Sequence, residues 1–191
     1  MTGVARIVFE THSRTVDNER GIATGWLGGA LSADGRALAE GLGERRRDDR
    51  LDAVFCSDLA RAVETAEIAF AGTDIPVFLD WRLREIDYGE LNGAPAGAIA
   101  AERARRVDRP FPGGESYRDA VGRVASFLDD LRGGCAGGRV LLIGHTATRW
   151  ALDHLLEGRR LEVVVAAPFD WREGWEYDFG ASVRAIAGAA A

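Results

Sequence analysis

Four residues of the chain have types and positions suited to chemistry. His12 lies two residues beyond Val4–Glu10, a β-branched and apolar segment that reads as a buried strand. His145 lies two residues beyond a second such segment, Arg139–Ile143. Arg61 stands shortly after a strand at Asp52–Cys56, on the helix that follows it. Glu85 falls in the charge-dense stretch Asp80–Gly93, after a third strand at Ile75–Leu79. Ligands of open α/β sheets gather at the carboxyl ends of strands, and helix N-termini there receive anions. Two imidazoles, a guanidinium and a carboxylate at that edge are groups that bind an anion and move protons.

Composition narrows the chemistry. All 24 cationic residues are arginine and none is lysine. That excludes a Schiff-base lysine, a lysine-anchored pyridoxal phosphate, and the lysine of P-loop or kinase nucleotide sites. The planar guanidinium fork suits phosphate and carboxylate oxygens. The net charge of -6 argues against non-specific binding to nucleic acid or an anionic membrane. Only three histidines are present, without HExxH or a Cys/His cluster, so no metal is expected. Cys56 and Cys135 lie far apart and read as free thiols of a reducing cytoplasm. The N-terminus carries no signal-peptide pattern, and no run nears the roughly 20 apolar residues of a membrane helix.

The elements that must position these groups follow from pattern. After the first strand, Thr11–Gly29 is long and polar, as functional loops are. Ser32 caps a helix running to about Asp48, with Leu38 and Leu42 on its apolar face. Ser57 opens a helix to Phe70. Ala94–Arg106 and Ser116–Arg132 read as helices, with a Pro110–Gly114 loop between them, and Thr146–Leu156 as a further helix. The last third reads as strands at 162–166, 174–179 and 182–186. One domain over 1–186 is expected, with a frayed tail at 187–191. The alternation predicts an α/β fold: three layers, α/β/α, with a mostly parallel central sheet.

The order of these residues resembles the histidine phosphatase superfamily, the phosphoglycerate mutase-like group. The family's first block has Arg-His-Gly after a strand, then Thr or Ser three and Asn six residues past the histidine. Here His12, Thr15 and Asn18 keep those offsets. Thr24-Gly25-Trp26 matches the family's TGW, and Leu31, Ser32 and Gly35 match the next helix start. Ser57, Leu59, Arg61, Ala62, Thr65 and Ala66 reproduce the arginine block intact. Leu83, Glu85, Gly89 and Gly93 reproduce the acidic block. Pro112–Ser116 (PGGES) is followed by Arg123, and Gly144-His145 closes the set. The match spans about residues 4–150.

The resemblance implies a phosphoglycerate mutase-like fold and a role for each residue. His12 would be the nucleophile that becomes a phosphohistidine, with its attacking nitrogen unprotonated. Arg61 would clamp the phosphoryl oxygens, and His145 would donate to them in the transition state. Glu85 would protonate the leaving oxygen and then activate water, with Asp87 the rival for that part. Asn18 and Thr24 would bind phosphate, and Trp26 would line the entrance. His154 carries no motif and reads as an ordinary helical histidine.

One departure matters. The family's arginine before the nucleophile is Thr11, and its glycine after it is Ser13. The serine is the mild change. The lost arginine removes a phosphoryl donor, worth about 10²–10³ in rate. Thr11 would give a weaker bond, unless Arg14, Arg84 or Arg149 reaches in. Only about twenty residues separate Gly93 from Gly113, too few for the mutases' insertion. The expectation is therefore a metal-independent phosphatase of a small phosphorylated metabolite, without cofactor, nucleic-acid or membrane partner. Its oligomeric state stays open, a homodimer included. The alternative is a non-catalytic or repurposed member that binds an anion or a partner, with a mutase third. A dinucleotide-binding fold fails, because no GxGxxG follows the first strand.

Overall fold

The computed structural model describes residues 6–134 and 138–179. In chain order its elements are β1 (Arg6–Thr11), α1 (Val16–Glu19), β2 (Ile22–Ala23), α2 (Ala33–Arg46), β3 (Ala53–Cys56), α3 (Ala60–Ala69), β4 (Val77–Leu79), β5 (Ala94–Pro95), α4 (Ala96–Glu102), α5 (Tyr117–Gly134), β6 (Arg139–Gly144), α6 (Thr146–Glu157), α7 (Leu161–Ala166) and β7 (Trp175–Asp178). The main sheet has the order β4-β3-β6-β1-β7. Its first four strands are parallel, and β7 closes the far edge antiparallel to β1. β2 and β5 form a separate antiparallel pair.

The strands are apolar on both faces because both are covered. Along β1, Ile7 and Phe9 join a core with Val124, Phe127 and Leu128 of α5 and Trp150 and Ala151 of α6. Val8 points the other way, to Leu42 of α2 and Ala62, Ala66 and Ala69 of α3. β6 splits in the same manner, with Val140 and Leu142 on one side and Leu141 and Ile143 on the other. Each such aliphatic side chain contributes about 1.5–3 kcal/mol on burial. The mostly parallel three-layer expectation therefore holds.

Topology brings the two histidines together. The chain leaves β1 and enters β3, and β6 later fills the gap between them. In that register Thr11 lies opposite Gly144, so His12 and His145 leave adjacent strand ends side by side. The backbone N–H of His12 donates to the Gly144 carbonyl at 2.9 Å.

Several elements differ from expectation. The segment 162–166 is helical, not a strand. Its β-branched run (LEVVVA) buries Leu161, Val164 and Val165 at helical spacing, and that packing overrides strand propensity. Residues 94–95 pair with β2, so only Ala96–Glu102 of the expected helix is α-helical. The expected helix at Ser57 begins at Ala60 instead. The Ser57 hydroxyl is occupied by the Leu59 N–H and by His145, which leaves those residues in a turn. Ser32 does cap α2, accepting from Gly35 N–H at 3.1 Å. On that helix Leu42 is buried, whereas Leu38 is 40% exposed. The expected strand at 182–186, the tail and Cys135 lie outside the described residues.

Gly35 ties α2 to the loop after His12. A Cβ there would sit 1.8 Å from the Arg14 carbonyl oxygen, while Arg14 also accepts from Ser32 N–H at 3.1 Å. Gly35→Ala should therefore shift that loop and cost about 2–3 kcal/mol. Urea unfolding measures this, and a loss under 0.5 kcal/mol, the ordinary surface value of roughly that size, would contradict the contact.

Candidate active site

His12 is held in one tautomer. Its Nδ1 lies 2.7 Å from the Ser13 carbonyl, which can only accept, so Nδ1 carries the proton. Nε2 is then a bare lone pair, and Arg61 Nε donates to it at 3.3 Å. Burial, reinforced by the adjacent Arg61 charge, lowers the imidazole from the ordinary 6.5 to about 3. His12 is thus neutral at physiological pH, with its free nitrogen facing Arg61.

His145 is the mirror case. Arg61 donates from Nη2 to its Nδ1 at 3.3 Å, and its Nε2 donates to the Ser57 hydroxyl at 2.9 Å. Burial and the Arg61 charge hold it well below 6.5. The two rings are 4.9 Å apart between centroids. One guanidinium therefore spans both imidazoles.

Arg61 is buried, at 3% exposure. It comes from the first turn of α3, whose Thr65 accepts from Ser13 N–H and donates to the Arg61 carbonyl. Among the described residues no carboxylate pairs with its guanidinium. Its remaining bonds run to backbone carbonyls, Gly25 at 2.8 Å and Leu27 at 3.3 Å. Gly25 has a φ of +58°, and a Cβ there would lie 1.8 Å from Asn92 Oδ1. Burial pulls Arg61 below its usual value, and the charge of Glu85 is the leading opposing influence.

Glu85 sits at the N-terminus of α6. Its Oε1 accepts from Ala147 N–H at 3.1 Å and from its own neighbour Ile86 at 2.9 Å. That places the carboxyl group at the backbone N–H two residues beyond His145. Arg123 fixes the backbone beneath it, donating to the carbonyls of Arg82, Arg84 and Glu85 while gripping Glu115 through two bonds of 2.7 and 2.8 Å. Trp26 Nε1 donates to the Glu85 carbonyl at 2.6 Å. Asp87 is occupied elsewhere: its Oδ1 accepts from Gly89 N–H and the Asn92 amide.

The other expected residues divide. Thr11 and Asn18 line one cavity with His12 and His145. Asn18 also caps α1, where its side-chain oxygen accepts from Thr15 N–H. Thr24 donates its hydroxyl to Asp17 at 2.8 Å. Ser13 replaces the family's glycine without a left-handed backbone, so that change is indeed mild. Arg84 is locked to Asp58 by two 2.6 Å bonds, and Arg149 to Tyr177 and Asp153. Neither reaches Thr11's place. His154 donates to the Arg159 carbonyl at the end of α6, away from the site. Among the described residues there is no metal-holding cluster, and no helix is long and apolar enough to cross a membrane. Sequence reading missed the orienting parts of Ser57 and Glu115, which are quoted motif residues whose partners lie far away in the chain.

A neutral imidazole, a charged fork without a counter-ion among the described residues and a carboxylate, at the carboxyl ends of parallel strands, make an arrangement suited to an oxyanion. The chain belongs to the histidine phosphatase superfamily (branch 1), whose family model matches residues 7–168. It is 32% identical over 173 residues to a 2,3-bisphosphoglycerate-dependent phosphoglycerate mutase of Methylobacterium sp. (strain 4-46), covering 83% of each chain. Among solved structures it resembles YhfR of Bacillus stearothermophilus, at 26% identity, TM-score 0.78, and coverage of 90% of this chain and 89% of that one. It also resembles the mycobacterial glucosyl-3-phosphoglycerate phosphatase, at 25% identity, TM-score 0.75, and coverage of 86% and 85%.

The depressed imidazole has a stability signature. Between pH 6.5 and about 3 the unfolded chain takes up a proton at His12 that the folded chain refuses. Stability must therefore fall as pH drops through that window, and His145 adds in the same direction. Urea unfolding at pH 7 and pH 5 should show a smaller loss in His12→Ala than in the unaltered chain. Equal losses would place the His12 titration near its ordinary value.

Proposed function

We propose that the chain is a phosphomonoester hydrolase acting on a small phosphorylated metabolite through a phosphohistidine on His12. The observation that carries this reading is Arg61: a buried guanidinium without a carboxylate partner, bridging two neutral imidazoles. Burying an unpaired charge costs several kcal/mol, which an incoming phosphoryl dianion would offset. The superfamily membership and the resemblance to a phosphatase structure support it.

The reaction runs in two steps. His12 Nε2 attacks phosphorus, and the ester oxygen leaves with a proton from Glu85. Glu85, now ionised, takes a proton from water, and the hydroxide oxygen displaces His12 from phosphorus. Arg61 holds two phosphoryl oxygens as charge builds on them. His145 Nδ1 accepts from Arg61, so His145 donates to phosphate by moving its proton from Nε2 to Nδ1 while the Ser57 hydroxyl turns to donate to Nε2. Arg61 supplies the positive charge, so these two steps use no metal. The short segment between Gly93 and Gly113 leaves the site open to water, which favours hydrolysis over the mutase reaction. The buried, unpaired Cys56 accords with a reducing cytoplasm.

A second reading is a repurposed, non-catalytic member that binds an anion or a protein partner. It is favoured by Thr11, together with the engagement of Arg84 and Arg149 elsewhere. An aryl phosphate assay with vanadate inhibition separates the two.

Labelled phosphomonoester should leave acid-labile, base-stable label on the protein, and His12→Ala should abolish it. Label retained in that variant would refute the nucleophile. If the donor lost at position 11 is what limits the rate, Thr11→Arg should raise kcat/KM by about 10²–10³-fold. Unchanged or lower turnover would end the account in which a missing clamp limits the rate.

A further inference from the structure

The space beside Thr11 is a cavity of about 360 Å³. It runs from His12 and Thr11 to Arg45, with Leu38, Phe169 and Trp171 along its walls. Leu38, Leu42 and Arg45 are spaced four and three residues apart, so one face of α2 is turned toward it.

Arg45 is poorly satisfied where it stands. Its Nε is buried and has no hydrogen-bond partner among the described residues. Its Nη groups approach Glu10 and Glu173 only at 3.7 Å each, beyond hydrogen-bond length. Glu10 is already paired with Arg46 at 2.9 Å, so Arg45 is a second cation beside a carboxylate in use. Arg14 shares the cavity but is exposed, whereas Arg45 is largely covered. Arg45 is 27% exposed, on a helix fixed at its other end by the Ser32 cap.

We propose that Arg45 supplies the phosphoryl contact that the first-motif position has lost, reaching from α2 across the cavity that Thr11 leaves open. This rests on the phosphatase reading. The chain has in effect moved one arginine from the strand end to a neighbouring helix, on the wall of a cavity that His12 and His145 also line. Arg45 forms no covalent bond. It exchanges two long contacts for a charge-assisted pair that strengthens as the transition state gains charge.

A double-mutant cycle tests this with the full chain, 4-nitrophenyl phosphate and inhibition by orthovanadate. Arg45→Met should lower kcat/KM by about 10²-fold and weaken vanadate inhibition in parallel. In the Thr11→Arg background the same change should cost about threefold or less, because the clamp is then supplied from the strand. Arg45→Lys keeps a charge beside Glu10 but loses the fork; it should behave as Arg45→Met does, and it carries the test if Arg45→Met does not fold. Equal losses in both backgrounds would reveal a structural part for Arg45 and overturn the proposal. So would no loss, or rescue of Arg14→Met rather than Arg45→Met by Thr11→Arg. If the unaltered chain neither turns over the ester nor binds vanadate, the phosphatase reading falls and takes this proposal with it. Turnover with additive losses defeats this proposal alone.

Discussion

The structure of the site depends on keeping one buried positive charge without a negative partner. Arg61 is inside the protein, and the chain gives it lone pairs instead of a carboxylate: two imidazole nitrogens and two carbonyl oxygens. Breaking a buried ion pair by removing one partner costs about 3–5 kcal/mol, so such a charge persists only within a rigid frame. That frame is visible in Thr65, which links the Arg61 backbone to Ser13, and in Ser57, which holds His145 from behind. Burial, with the same charge beside them, keeps both histidines neutral, so His12 Nε2 carries a bare lone pair.

Carboxylates are kept near this charge but not on it. Glu85 is held by the N-terminus of α6, and Glu115 is drawn off by Arg123. Asp17 accepts from Thr24, and Asp58 is taken by Arg84. Each of these acids has a donor of its own, which leaves the guanidinium available. In a chain with 30 acidic and 24 cationic residues, this allocation of partners protects the site better than net charge could.

Much of this was legible in the sequence, because the informative features were local. β1 and β6 read as strands from their apolar runs, and the two histidines at their ends follow from position alone. The Ser32 cap and the arginine block are likewise short-range signals. What was hidden depends on distant residues. The run LEVVVA reads as a strand by propensity, and only the core facing Leu161, Val164 and Val165 makes it a helix. Ser57 looks like a helix cap until His145, 88 residues away in sequence, claims its hydroxyl. Thr24 and Asn18 fit the phosphate pattern, yet neighbours within seven residues already occupy the Thr24 hydroxyl and the Asn18 carbonyl oxygen. Arg45 lies in a run, ERRRDDR, that reads as a solvated helix end, and nothing in its spacing points to β1.

The two carbonyl bonds of Arg61 have a consequence for occupancy. A guanidinium has five N–H groups, and Arg61 spends four of them on Gly25, Leu27, His12 and His145. A bidentate grip on an anion needs two, so at least one of those bonds must be surrendered when a ligand arrives. The Gly25–Leu27 turn is thus an internal competitor, a stretch of main chain seated where the guest must sit. Affinity for an oxyanion is then a difference between two occupants, and any ligand that takes those N–H groups loosens the turn that carries Trp26.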